Sequence, residues 1–169
     1  FVVPGGSHYT FETNWEYDSW NRMKRTDYPD GERVTYHYDN GGKLYSMDGD
    51  KYGQMYDYIN AVFYNKYGSR TRIKYGNGTN AEYVYNPLNQ SLSNMLSYEN
   101  GGAVMQNINY SYDNASNITS VTNSSDYLNG HLGGDYGHEF KYDDLYRLTS
   151  GSGFFQSGIV GTIGYKQTM

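Results

Sequence analysis

The chain has 169 residues, of which 22 are Tyr, 21 are Gly and 3 are Pro, with no Cys and a formal net charge of −5. No apolar stretch approaches the roughly 20 residues of a transmembrane helix, and without Cys neither a disulfide scaffold nor a Cys-based metal site can form. The scattered Lys and Arg residues provide no basic face for nucleic acid.

Tyrosine is the residue type expected to supply the core of this chain. Leu, Ile, Val and Phe together make up only about 17% of the residues, which is less than in an ordinary globular domain. A Tyr ring buries a large apolar area and keeps a hydroxyl group that needs a partner. The aromatic residues are therefore expected to pack against one another.

A short aromatic unit recurs along the chain, and it consists of two aromatic positions separated by one residue and followed by Asp or Asn. The two aromatic positions are held by Trp15 and Tyr17, Tyr36 and Tyr38, Val62 and Tyr64, Tyr83 and Tyr85, Tyr110 and Tyr112, and Phe140 and Tyr142, with Val62 as the exception. The residues that follow are Asp18, Asp39, Asn65, Asn86, Asp113 and Asp143. The second aromatic position recurs at spacings of 21, 26, 21, 27 and 30 residues, which predicts a repeat protein.

Each copy of the unit predicts a β-hairpin. Two aromatic residues separated by one residue point to the same face of a strand. The Asp or Asn then starts a tight turn, because its side chain can bond the backbone two residues further on. In the second copy, Asp39 and Gly42 hold the first and fourth positions that a type I turn favours.

The strand after each turn is expected to return to the aromatic face. Its first residue is apolar in four copies, namely Met23, Leu44, Ile118 and Leu148. The basic residue before it is expected on the opposite face in three copies, namely Arg22, Lys43 and Arg147.

These hairpins predict an all-β fold. About ten to twelve strands are expected to form a single antiparallel sheet of repeated hairpins, which curves or spirals as strands are added. The connections between units carry hairpin signals at Pro29-Asp30-Gly31, Asp48-Gly49, Asn77-Gly78, Asn100-Gly101-Gly102 and Asn129-Gly130. No segment has the sustained 3.6-residue periodicity of a helix. One domain is expected over residues 1–169, with repeats at about 9–150 and a Gly-rich tail at 151–169 that is either a final strand or an apolar segment.

The units resemble the YD repeats of the RHS (rearrangement hotspot) family. The tract Y-x-Y-D-x-x-G-x-L is met in full from Tyr36 to Leu44 and closely from Trp15 to Met23 and from Phe140 to Leu148. The resemblance implies a β-hairpin ribbon that spirals into a hollow shell. Bacterial RHS and toxin-complex shells enclose a C-terminal toxin, and animal teneurins are adhesion receptors of similar construction.

The resemblance further implies a non-catalytic structural module of a large secreted or surface-exposed bacterial protein. Its partners would be other YD repeats, the remainder of the parent chain and an enclosed toxin segment. Some bacterial members carry a segment after the repeats with paired D-P-x-G motifs and an aspartyl self-cleavage site. No Asp-Pro pair occurs in this chain, so no cleavage residues are assigned. The chain is expected to be a fragment, because a shell needs many more repeats than six.

A carbohydrate-binding or adhesive surface is the alternative function. Trp20, Tyr67 and Tyr146 lie inside turns, where exposed aromatic rings beside Asn and Asp can stack on sugars. The other aromatic residues are more simply explained as core. The unpaired edges of the sheet are also expected to support self-association.

No catalytic residue, cofactor or metal site is expected. His131 and His138 flank a Gly-rich segment with Glu139 next in sequence, but their spacing matches no common ligand pair. His37 lies between Tyr36 and Tyr38 and is expected at the surface. Asp48-Gly49-Asp50 is a weak match to a calcium loop, and no G-x-S-x-G tract is present.

Overall fold

The computed structural model describes residues 10–125, 134–157 and 161–168. Thirteen strands form one antiparallel sheet whose order follows the chain, so the first and the last are its edge strands. They are β1 (Asn14–Tyr17), β2 (Met23–Asp27), β3 (Glu32–Tyr38), β4 (Leu44–Lys51), β5 (Gln54–Tyr64), β6 (Arg70–Tyr75), β7 (Thr79–Tyr85), β8 (Leu92–Glu99), β9 (Val104–Tyr112), β10 (Ile118–Asn123), β11 (Tyr136–Tyr142), β12 (Leu148–Ser157) and β13 (Gly161–Thr168).

The all-β hairpin meander predicted from the repeats is confirmed, and the described residues contain no helix. The strands outnumber the ten to twelve expected because the tail extends β12 and forms β13. The predicted turn at Asp48-Gly49 is wrong, because both residues lie inside β4 and the turn to β5 is formed by Tyr52 and Gly53. Of the other predicted linking turns, Asn129-Gly130 lies outside the described residues. The contacts between residues divide the chain into two compact units. The first unit comprises Phe1–Phe63 and Ile73–Asn77, and the second comprises Tyr64–Arg72 and Gly78–Met169.

In the first unit, one row of paired residues crosses all of β1 to β5. The register pairs Trp15 with Thr26, Thr26 with Val34, Val34 with Gly49 and Gly49 with Tyr56. Thr26, Val34 and Gly49 are buried. The Tyr56 ring lies over Gly49, where an added Cβ would come within 2.5 Å of the ring. Burial at the middle of this row therefore depends on an aromatic ring that covers a glycine.

The second unit uses the same pairing of glycine with an aromatic ring. Gly137 is paired with Phe154, and Gly153 with Tyr165. An added Cβ would lie 2.6 Å from the Phe154 ring at Gly137 and 3.0 Å from the Tyr165 ring at Gly153. A ring opposite a glycine covers backbone that would otherwise be exposed in a strand. The high contents of Gly and Tyr are thus partly connected, because aromatic rings of one strand pack over glycine residues of the next.

Three buried apolar side chains recur at one position of the repeat. Val34, Ala81 and Ile108 each lie two residues before the first aromatic position of a copy, and all three are buried. They share a strand face with the two aromatic residues that follow, because side chains alternate along a strand. Each of these strands therefore presents an apolar residue and two tyrosines on one face.

Candidate functional site

The Asp or Asn of each copy closes its own turn. Asp18 accepts hydrogen bonds at Oδ1 from the backbone N–H groups of Trp20 and Arg22, at 2.9 and 3.0 Å. The same two positions donate to Oδ1 of Asn65, Asp113 and Asp143. Asp39 accepts from the N–H of Lys43, and Asn86 from that of Leu88. Because Asn serves as well as Asp, the oxygen atom matters here and the negative charge is not required.

Five of the six turns share one backbone geometry. In the Asp18 turn, the N–H of Asn21 donates to the carbonyl of Asp18, and the N–H of Asp18 donates to the carbonyl of Arg22. The strand register shifts beside the turn, between Glu16 and Tyr17. This is a three-residue hairpin loop with a bulge, in which the third residue after the Asp or Asn is left-handed. That position is held by Asn21, Gly42, Gly68, Ser116 and Tyr146, all with positive φ. The Asn86 turn is one residue longer, and its left-handed residue is Gln90, whose N–H donates to the Asn86 carbonyl.

Replacing Tyr146 with Gly is expected to raise the free energy of unfolding by about 1 kcal/mol, because a left-handed backbone strains a bulky residue and glycine adopts it freely. Tyr146 has a φ of 60°, and its side chain is exposed. Urea denaturation of the two proteins measures the difference. Asn21→Gly is the control, since Asn tolerates this conformation and the change should have a small effect. A Tyr146→Gly protein of equal or lower stability would contradict the assignment of strain.

The turn carboxylates should make the fold sensitive to acid. The Asn117 side-chain amide, together with backbone N–H groups, holds the pKa of Asp113 below its ordinary value. The hydrogen bond from the Arg22 side chain lowers the pKa of Asp18, and that from Arg147 lowers the pKa of Asp143. A carboxyl group whose pKa is lower in the folded state stabilises the fold above its unfolded pKa of about 3.9, and this contribution is lost as the pH falls through the folded value.

Replacing Asp18, Asp113 and Asp143 with Asn is therefore expected to reduce the loss of stability between about pH 6 and about pH 3. The turns should still form, because Asn65 and Asn86 occupy the same position naturally. The urea midpoint measured at both pH values provides the test. An unchanged acid dependence in the triple variant would show that other carboxyl groups dominate.

The second aromatic residue of a copy bridges to the copy before it. The Tyr38 hydroxyl donates to the carbonyl oxygen of Met23 at 2.7 Å. Three further bridges are Tyr85 to Arg70 at 2.9 Å, Tyr112 to Leu92 at 2.8 Å and Tyr142 to Ile118 at 2.9 Å. Each acceptor is the first residue of the strand that follows the preceding turn. We refer to these four contacts as the tyrosine bridges.

The tyrosine bridges explain why the second position requires tyrosine, since phenylalanine lacks the hydroxyl group. The rings of Tyr38, Tyr85, Tyr112 and Tyr142 are half-buried, and burial raises the pKa of the Tyr112 hydroxyl above its ordinary value. In β1, Tyr17 has no preceding copy among the described residues, and its side chain is 52% exposed. The sequence suggested hairpins but did not reveal this contact between them.

The first aromatic positions differ in exposure between the edge strand and the inner strands. The side chains of Tyr36, Tyr83, Tyr110 and Phe140 are half-buried, whereas Trp15 in the edge strand is exposed. Tyr64, at a second position, is also half-buried. The rings at the first positions thus add packing area to the strand faces they occupy.

One expectation about the basic residues is wrong. Arg22 was placed on the face opposite the aromatic residues, but its guanidinium group lies 4.2 Å from the centre of the Tyr38 ring and 4.6 Å from that of Trp20. It also forms an ion pair with Asp18 at 2.6 Å. Attraction between the cation and the ring faces favours that position. Arg147 likewise pairs with its own turn residue, Asp143, at 2.7 Å.

The three candidate sugar-stacking residues are exposed. The exposed fractions are 66% for Trp20, 60% for Tyr67 and 64% for Tyr146. Trp20 is contacted by Arg22, and Tyr67 by the Lys66 ammonium group at 4.9 Å from its centre. Each of these two rings therefore has a cation over one face.

The polar candidates do not assemble into a reactive centre. His131 lies outside the described residues, whereas His138 contacts the Tyr165 hydroxyl through Nδ1 at 2.8 Å. His37 is exposed and contacts Asp48. Within the described ranges, no group of three or more His, Cys, Asp or Glu side chains could hold a metal ion. The same part of the chain contains no helix long and apolar enough to cross a membrane.

Comparison with known proteins agrees with the repeat geometry. The family model described as "Teneurin YD-shell" matches residues 3–157, so the chain belongs to this family of YD-repeat shells. The toxin subunit YenC2 of Yersinia entomophaga is 30% identical over 112 residues, which is 61% of this chain and 11% of that protein.

Two solved structures place the chain among toxin-complex folds. The crystal structure of TcdB2-TccC3-Cdc42 superimposes with a TM-score of 0.81 over 94% of this chain and 8% of that one, at 23% identity. The Photorhabdus luminescens Tc holotoxin pore gives a TM-score of 0.75 over 84% of this chain and 7% of that one, at 25% identity. The chain therefore spans about a tenth of the length of these relatives.

Proposed function

We propose that this chain is a non-catalytic structural section of a β-shell in a large secreted or surface-exposed protein, where the shell encloses or presents another polypeptide such as a toxin domain. Family membership and the similarity to toxin-complex components support this function. The chemistry of the repeats agrees, because their Asp residues are engaged in turns and their Tyr hydroxyls in bridges.

The single observation that carries the proposal is the series of tyrosine bridges. Each bridge joins one copy to the backbone of the copy before it. A repeat whose contacts are satisfied by its neighbours is stable only within a continuous array. Such a chain is suited to form an extended wall.

Protease protection tests the enclosing role. In the full-length protein that contains this chain, a segment outside the repeats should resist a bulky protease until denaturant opens the wall. The tyrosine bridges predict that changing Tyr38, Tyr85, Tyr112 and Tyr142 to Phe lowers the denaturant concentration at which cleavage begins. Cleavage of every non-repeat segment at the same rate in native and denatured protein would overturn the proposal.

Carbohydrate binding is the second candidate, favoured by the exposure of Trp20, Tyr67 and Tyr146. A sugar would stack on the ring face that the neighbouring cation leaves open. Binding on a glycan array that is lost in Trp20→Ala and retained in Trp15→Ala would support this function. Trp15 is an exposed tryptophan outside the turns, so it controls for nonspecific adhesion.

The isolated 169-residue chain is expected to self-associate through its edge strands. β1 and β13 lie at the two ends of the strand order, and exposed edges with apolar side chains tend to pair with other chains. Ile163 and Tyr165 on β13 are exposed. Light scattering should show oligomers that increase with concentration and are reduced by Ile163→Lys. A monomer at all concentrations would contradict this prediction.

A further inference from the structure

Two turns of the chain share an Asn-Gly-Gly sequence and the same backbone conformation. Asp39-Asn40-Gly41-Gly42 and Glu99-Asn100-Gly101-Gly102 both carry Asn-Gly-Gly after an acidic residue. In each turn, the N–H of the last Gly donates to the carbonyl of the acidic residue, at 2.9 and 2.8 Å. That Gly is left-handed in both, with φ values of 82° and 87°. The two turns therefore form a matched pair within one protein.

The two asparagine side chains differ in their contacts. Asn100 accepts a hydrogen bond at Oδ1 from Nδ2 of Asn80 at 3.0 Å, and Asn80 is buried. Asn40 is exposed, and its side chain has no hydrogen bond among the described residues. The Asn100 side chain is therefore held toward β7, whereas that of Asn40 lacks such a contact among the described residues.

We propose that Asn40 is a site of spontaneous deamidation and that Asn80 protects Asn100 from the same reaction. The Gly41 backbone nitrogen attacks Cγ of Asn40, so a nitrogen–carbon bond forms, the amide proton is lost to solvent and the side-chain amide leaves as ammonia. Water then opens the cyclic imide at either carbonyl group and yields aspartate or isoaspartate. The net change consumes one water and releases one ammonia, with no oxidation or reduction.

The surroundings of Gly41 favour this reaction. Gly41 has no Cβ to hinder ring closure, it is exposed, and its N–H donates to no acceptor in the described part of the chain. In the Asp113 turn, the equivalent N–H belongs to Ala115 and donates to Asp113 Oδ1 at 2.9 Å. Asn114, which precedes Ala115, should therefore be more stable than Asn40.

The product changes the turn. Isoaspartate routes the main chain through the side-chain carbon and so inserts one extra carbon between Asp39 and Gly41. The N–H of Asp39 donates to the carbonyl of Lys43 across this turn at 2.8 Å, and a longer loop cannot keep that geometry. Deamidation should therefore loosen the hairpin of β3 and β4.

Peptide mapping by mass spectrometry tests the proposal on the full 169-residue chain incubated in mildly alkaline buffer. In the folded protein, Asn40 should convert about tenfold faster than Asn100, the factor that corresponds to one hydrogen bond of about 1.4 kcal/mol. In concentrated urea the two rates should become equal, since both residues are followed by Gly-Gly. Equal rates in the folded protein, or faster conversion of Asn100, would overturn the proposal.

Gly41→Ala is the matched control for the mechanism. Ala115 holds the equivalent position in the Asp113 turn, so alanine is compatible with the fold, and circular dichroism verifies this. The added methyl group should suppress conversion of Asn40 and leave the rate at Asn100 unchanged. Conversion of Asn40 at the original rate would show that Gly41 is not the attacking residue.

Discussion

Replacing Asn123 with Ala is expected to lower the free energy of unfolding by about 3 kcal/mol, because its buried hydrogen-bond partners lose their contacts. Asn123 is only 3% exposed, and Ser125 beside it is 2% exposed. Asn123 accepts from the backbone N–H of Asn107 at 2.8 Å and donates to the Gly134 carbonyl at 2.9 Å and to Ser125 Oγ at 2.8 Å.

The magnitude follows from what the substitution leaves behind. Alanine removes the partner of the Asn107 N–H and of the Gly134 carbonyl, and a buried polar group without a partner costs about 1–3 kcal/mol. Asn123 also holds together the strand end of β10 and the residues that lead into β11. Replacing Asn123 should therefore loosen both the end of β10 and the residues that lead into β11.

Urea denaturation of Asn123→Ala measures this effect, with Thr122→Ala as the matched control. Thr122 is the preceding residue on the same strand and is exposed, so its replacement should change stability by less than about 0.5 kcal/mol. Asn123→Asp adds a second test, because it keeps an acceptor for Asn107 but cannot donate to Gly134. If both Asn123 variants matched the wild-type stability, the buried network would have no role in holding the fold.

Removing the Tyr112 ring is the second large effect. Tyr112→Ala is expected to cost about 3 kcal/mol, because it removes a half-buried aromatic ring together with its bridge to Leu92. Tyr112→Phe keeps the ring and removes only the hydroxyl, so it should cost about 1 kcal/mol. The stability lost in Tyr112→Phe measures the tyrosine bridge, and the further loss in Tyr112→Ala measures the packing of the ring.

Tyr17→Phe is the control for the bridge. Tyr17 occupies the same motif position in the first copy and is more exposed, and its hydroxyl group makes no hydrogen bond among the described residues. Its hydroxyl should therefore contribute close to nothing. Equal losses in Tyr17→Phe and Tyr112→Phe by urea denaturation would contradict a bridging role for the second tyrosine.

The hairpins could be derived from sequence because their signals are local. An Asp or Asn after an aromatic strand forms hydrogen bonds within four residues of itself, and such short-range chemistry leaves a pattern in adjacent positions. The recurrence of that pattern revealed six hairpins, and hence an all-β sheet. Nine of the 22 tyrosines occupy the two aromatic positions of the unit, so composition and repeat supported the same fold.

The contacts between hairpins could not be derived in this way. The acceptor of Tyr142 is Ile118, 24 residues away, and that of Tyr38 is Met23, 15 residues away. The connections between copies differ in length, so the bridged residues do not recur at a constant separation in the sequence. The buried residue two positions before three of the aromatic pairs was missed for a related reason, since Val34, Ala81 and Ile108 share only apolar character.

The sequence by itself determined the repeat, the turn chemistry, the all-β class and the resemblance to YD-repeat shells, because each depends on residues a few positions apart. Only the tertiary structure decided which residues join one repeat to the next: the tyrosine bridges, the Asn123 network, and the aromatic rings that cover Gly49 and Gly137. These contacts depend on strand register, which pairs residues far apart in the chain and is set by the sheet as a whole.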